Sequence, residues 1–132
     1  MSSAEQAVRA KALASLADDA ELAGLVHGIF DGAPSRATAP YVVVGGTEGS
    51  DWGTKDRAGH EIRLTLTLAL VGVGSGSADL AAARIEGVAM GLRGAAGAWT
   101  VVGVRTIRTR FTFARDGGWR HEIVVRCRCL AG

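Results

Sequence analysis

The sequence predicts an α+β fold: an antiparallel sheet of about four strands with helices packed on one face. Three observations carry this. Residues 61–70 alternate strictly, with Ile62, Leu64, Leu66, Leu68 and Leu70 on one side and Glu61, Arg63, Thr65, Thr67 and Ala69 on the other. That two-residue period belongs to a strand with one buried face. Residues 99–113 and 119–130 read as a closing hairpin that turns at Asp116-Gly117-Gly118. Ser3-Ala4-Glu5-Gln6 has the form of a capping box ahead of a helical stripe.

The elements follow in order. Val8, Ala12, Leu13 and Leu16 fall on one stripe of the first helix. Asp18-Asp19-Ala20-Glu21 repeats the cap signal, Leu22, Leu25 and Val26 supply a short stripe, and Gly28 stops a second helix of about two turns. Asp31-Gly32-Ala33-Pro34 is turn chemistry within a 31–39 linker, and Pro40 opens a strand over Tyr41-Val42-Val43-Val44. The glycine-rich stretch that starts at Gly45 predicts a loop of some fifteen residues, holding Trp52 among Asp51, Lys55, Asp56 and Arg57, that orders on assembly. After the alternating strand, Ser77 caps a helix with the stripe Ala81, Ile85, Val88 and Leu92, and Gly94 ends it. Gly87 and Gly91 inside that helix predict close backbone approach to the sheet. On the last strand Ile123, Val125, Cys127 and Cys129 share one face, and Glu122, Arg126 and Arg128 the other. The preceding strand changes its inward face near Arg105, which predicts a bulge.

A chain of 132 residues reads as one domain over 1–132. With 48% hydrophobic but only 5% aromatic residues, the core must be built from Val, Leu, Ile and Ala. The run from Leu64 to Val73 contains Thr65 and Thr67 and falls far short of the about 18 apolar residues of a membrane span. No secretory signal opens the chain. Cys127 and Cys129 point to the same face of one strand and are poor partners for each other, so free, buried thiols are expected, in keeping with synthesis in a reducing cytoplasm. His27, His60 and His121 lack ligand spacing, so neither zinc nor any other cofactor is expected. Net charge is +2, yet residues 1–60 carry five basic and eight acidic side chains and residues 61–132 carry ten and five. Of the cations only Lys11 and Lys55 are lysine. Arginine suits planar, bidentate contacts at interfaces, although a GC-rich genome would favour the same composition.

Enzymatic signatures are missing. Gly72-Val73-Gly74-Ser75-Gly76-Ser77 sits where a phosphate loop would, but its sixth position is not glycine and no Gly-Lys-Ser/Thr ending follows, so it reads as a flexible connector. No Gly-x-Ser-x-Gly elbow is present. His60 and His121 have no spaced partner to orient them. The chain contains no Asn and a single Gln, Gln6, which leaves base-specific readout of DNA without amides. Non-specific phosphate contact stays open, because Arg105, Arg108, Arg110, Arg115, Arg120, Arg126 and Arg128 crowd the closing hairpin. The competing reading, which is favoured, pairs those arginines with Asp51, Asp56, Asp79 or Glu86 of a neighbouring subunit.

The order of elements, with "IFDGAPSRATAPYVVVG" at 29–45, the alternating 61–72 and "RDGGWRHEIVVRCR" at 115–128, resembles tail-terminator or tail-completion proteins of long-tailed phages and of gene transfer agents. The resemblance implies a non-enzymatic virion subunit, assembled in the bacterial cytoplasm. It would form a homo-oligomeric, hexameric ring at the head-proximal end of the tail, end tube polymerisation and provide the head-tail joining surface. Implied partners are the tail tube protein and a head-completion or stopper protein, with DNA passing through the ring and no membrane involved. Two patches are expected to make the contacts: Asp51, Trp52, Lys55 and Arg57 in the long loop, and Arg108, Arg110, Trp119, Arg126 and Arg128 on the hairpin. The alternative is a nucleic-acid-binding accessory protein that uses the same hairpin on phosphates.

Overall fold

The computed structural model describes residues 3–72 and 76–132. Its elements in chain order are α1 (Ala4–Ala17), α2 (Ala20–Ala23), β1 (Ile29–Asp31), β2 (Tyr41–Asp51), β3 (Gly59–Leu70), α3 (Gly76–Met90), β4 (Gly94–Ala96), β5 (Trp99–Phe113) and β6 (Trp119–Ala131). The strands form one sheet in the order β1-β2-β3-β6-β5-β4, with β1 parallel to β2 and every other pair antiparallel.

The alternating strand lies at the centre. β3 pairs with β2 on one side and along its whole length with β6 on the other. Ile62, Leu64, Leu66 and Leu68 are buried with Ile123, Val125, Cys127 and Cys129 on the face that α1 and α3 cover. From α1 the core receives Ala4, Ala7, Val8, Ala12 and Leu16, and from α3 Ala81, Ala82, Ile85 and Ala89. Alanine dominates these helix faces, which lets both helices lie close to the sheet. The capping box at Ser3 and Gln6 is present in full.

Two arginines fasten helices to their surroundings. Arg9 on α1 donates from Nε to the Gly45 carbonyl at 2.6 Å and from Nη2 to the Val44 carbonyl at 2.5 Å, and pairs with Asp31 at 2.5 Å. Arg84 on α3 forks onto Asp19, the N-cap of α2, at 2.8 and 2.5 Å. That guanidinium, together with the Leu22 N–H that Asp19 also accepts, holds the Asp19 carboxyl down at about 2.

Several expectations need correction. The sheet has six strands rather than about four, and one pair is parallel. β1 and β4 are three residues each, too short for any period to show, and are held only by pairing with Val42–Val44 and with Trp99–Val101. The second helix is a single turn. The fifteen-residue loop shrinks to residues 52–58, because β2 continues through the glycines. Gly45 and Gly46 absorb a register shift between Val44 and Thr47, and the carbonyls of Val44 and Gly45 are taken by Arg9. A Cβ at Gly49 would lie 2.5 Å from Glu5 Oε1, so a larger residue there would displace the flexible Glu5 side chain at the start of α1. Ser77 stands in the first turn of α3, not ahead of it, and the helix ends at Met90, short of Gly94. Gly87 and Gly91 do not approach the sheet: added Cβ atoms would meet only Arg84 and the helix's own carbonyls. The bulge expected near Arg105 becomes two register shifts, Val101/Gly103 and Thr106/Arg108. The centre of the 72–77 connector, residues 73–75, lies outside the described residues.

Both thiols are free and buried, and burial pushes Cys127 up to about 12 and Cys129 to about 11 from an ordinary value of 9.0. A raised pKa in the folded state means that only the unfolded chain ionises once pH passes about 9, so stability falls as pH climbs from there toward 12. We therefore expect a thiol-specific disulfide reagent at pH 8 to label neither cysteine until denaturant is added, and urea midpoints to drop between about pH 9 and 11. Rapid labelling of the folded chain would contradict the burial.

Candidate assembly surface

Among the described residues no helix covers the second face of the sheet, and the side chains that point there fall in rows across four strands. One row runs Glu48, Arg63, Arg126 and Arg105, each directly opposite the next in neighbouring strands. The adjacent row holds Ser50, Glu61, Arg128 and Gly103. On the other side stand Thr65, Val124 and Arg108, and beyond them Val43, Thr67, Glu122 and Arg110. A shallow concavity of about 620 Å³ opens among Thr47, Glu48, Arg63, Thr65, Arg108 and Val124.

The charges here are unevenly satisfied. Arg128 donates from Nε to Glu61 at 3.0 Å and lies over the Trp52 ring, 5.2 Å from its centroid. Arg120 closes the hairpin turn on Asp116 at 2.6 Å. Among the described residues, Arg63, Arg105, Arg108, Arg110 and Arg126 have no carboxylate within ion-pair distance. Directly opposed residues in a sheet have Cβ atoms about 4.5–5.5 Å apart, and like charges so placed destabilise it. Three arginines in one row are thus a local cost that an anionic partner would relieve.

The expected contact residues are divided by the fold. Arg108, Arg110, Arg126 and Arg128 do share the bare face. Trp52 joins them through Arg128. Arg57 is used within the chain, donating Nε and Nη2 to the Ala131 carbonyl at 3.0 and 2.7 Å. Lys55 is exposed at the tip of the short loop, and Asp51, also exposed, accepts from the Gly53 N–H at 3.4 Å. Trp119 lies on the helix side instead, stacked on Phe111 at 5.0 Å and met edge-on by Phe113 at 5.2 Å. Arg63 and Glu48 were missed as members of the face. The alternation of residues 61–70 already placed Arg63 outward, but only the register shows that it stands beside Arg126.

Among the described residues no group of three or more His, Cys, Asp or Glu side chains could hold a metal ion, and no helix is long and apolar enough to cross a membrane. His60 packs against Trp99 and His121 against Phe111.

The model of the family described as Tail completion protein gp17 matches residues 10–131. The chain belongs to this family. It is thus a tail-completion protein of a phage-type particle, and its place is in the virion tail. The fold is similar to that of a chain in the virion of a native gene transfer agent particle, with a TM-score of 0.84 and 23% identity over 98% of this chain and 100% of that one. No curated protein matches the sequence.

For this tail-completion protein, the unrelieved row makes a prediction about stability. Replacing Arg126 by Ser removes the middle charge and should raise the urea stability of the free chain by about 0.5 kcal/mol at low ionic strength, a gain that shrinks in molar salt. A loss of stability at low salt would show that Arg126 is already compensated.

Proposed function

We propose that this tail-completion protein forms a ring at the head-proximal end of the tail, where it stops tube polymerisation and presents the surface to which the head joins. The supporting observation is the bare sheet face with its row of uncompensated arginines, a surface that the isolated chain leaves unfinished. A closed ring built by one repeated rotation needs two different patches on each subunit. The arginines of the β5–β6 hairpin supply one of them. The second lies toward the opposite edge of the sheet, at β2 and the 52–58 loop, where Glu48, Asp51 and Asp56 have no cation within ion-pair distance among the described residues. Six subunits is the number that the resemblance to tail terminators implies, with the tail tube below and a head-completion or stopper protein above.

The same arginines favour a second reading, in which they contact nucleic-acid phosphates without reading sequence. Salt separates the two. Phosphate contact weakens steeply as salt rises, whereas a ring whose subunit contacts include buried apolar area persists.

The test is assembly with a chain carrying Trp52→Ala and Arg126→Glu, checked first for an unchanged circular dichroism spectrum. We expect tails of irregular length that fail to join heads. Tails of normal length joined to heads would overturn the proposal.

A further inference from the structure

Both lateral edges of the sheet are only half covered. At one edge β1 pairs with Val42–Val44 and, among the described residues, leaves Thr47–Asp51 of β2 without a strand on its outer side. At the opposite edge β4 pairs with Trp99–Val101 and leaves the rest of β5 open, including Arg108–Phe113, which is in regular register with β6. Exposed edges of this length invite pairing with another chain, and proteins usually guard them with charge and bulges. Here the charges on the two edges are opposite. Glu48 stands on the bare face at the β2 edge, and Arg105, Arg108 and Arg110 stand on that same face at the β5 edge.

We propose that Arg108–Phe113 of one subunit pairs antiparallel with Thr47–Asp51 of the next, so that the sheet continues from copy to copy with Glu48 set among the arginines of its neighbour. This rests on the ring reading above and names the contact that closes it. Strand direction agrees: three antiparallel steps separate β2 from β5, so a neighbour added beside β5 in the same orientation brings its β2 in antiparallel.

The position of the covers sets the offset. Val42–Val44, under β1, lies in register with Leu66–Leu68, Ile123–His121 and Thr109–Phe111, so the open half of β5 is at the same end of the sheet as β1. The open half of β2 is at the end where β4 sits. Joining open half to open half, with the even offset that keeps Glu48 on the same face as Arg108 and Arg110, therefore shifts each subunit along the strands by about four residues, roughly 14 Å. Four strand widths per subunit span roughly 19 Å. The ratio inclines the strands by about 36° to the ring axis, inside the roughly 35–45° tilt typical of a closed barrel. The half-covers on the two edges thus enforce the stagger that closure needs, whatever the number of subunits.

The test uses purified tails. Amides of 47–51 and 108–113 should exchange with deuterium at least tenfold more slowly in tails than in the free chain. Glu48→Arg alone and Arg108→Glu alone should each lose incorporation into tails while keeping the circular dichroism spectrum of the folded free chain, and the chain carrying both should regain it. Tails that hold several copies in which both segments exchange as fast as in the free chain would overturn the edge pairing and leave the ring standing. Normal incorporation of both single variants would do the same. A single copy per tail would overturn the ring itself, and the pairing with it.

Discussion

One-sided burial of the Gly59–Leu70 strand is the constraint on which the rest of the molecule depends. Its leucines and isoleucine need a cover, and α1 and α3 provide one on a single face. The side chains between them, Glu61, Arg63, Thr65 and Thr67, then have to face away. Because β6 pairs with this strand residue for residue, the same division passes to Ile123, Val125, Cys127 and Cys129 on the covered side and to Glu122, Arg126 and Arg128 on the other. A slip of one residue would send arginines into the core. The buried side is thus inseparable from the basic side.

What could be read from the residues alone follows from that period. The central strand, the closing hairpin and the inward set on the last strand were legible because alternation over ten or more residues has one structural meaning. The capping box at Ser3 was legible because its chemistry is local. The three-residue strands β1 and β4 were not, since they owe their existence to pairing with Val42–Val44 and Trp99–Val101 and carry no pattern of their own. The extension of β2 through Gly45, Gly46 and Gly49 was hidden for a related reason. Glycine marks a break by local propensity, but here the carbonyls at the bulge are held by Arg9, a residue about 35 positions earlier. The Arg84–Asp19 fork likewise joins residues 65 apart.

The candidate surface was legible in part. That Arg126 and Arg128 face outward follows from the last strand's alternation, whereas their company with Arg108 and Arg110 depends on the register shift between Thr106 and Arg108. That Trp119 does not join them was visible in the same alternation, since it shares parity with Ile123 and packs on the helix side with Phe111. The neighbourhood of Arg63, Arg105 and Arg126 required the register of three strands. A sheet that is finished on one face and basic on the other, with both edges half open, has the form of a component rather than a self-sufficient domain.

The most direct measurement of whether these unfinished surfaces serve subunit assembly is the mass of the purified chain by light scattering, at low and high salt, with and without duplex DNA. A mass of several subunits that persists at high salt and is indifferent to DNA is expected for a ring held by subunit contacts. A single-chain mass that rises only when DNA is added, and falls back as salt is raised, would contradict it and assign the arginines to phosphate instead.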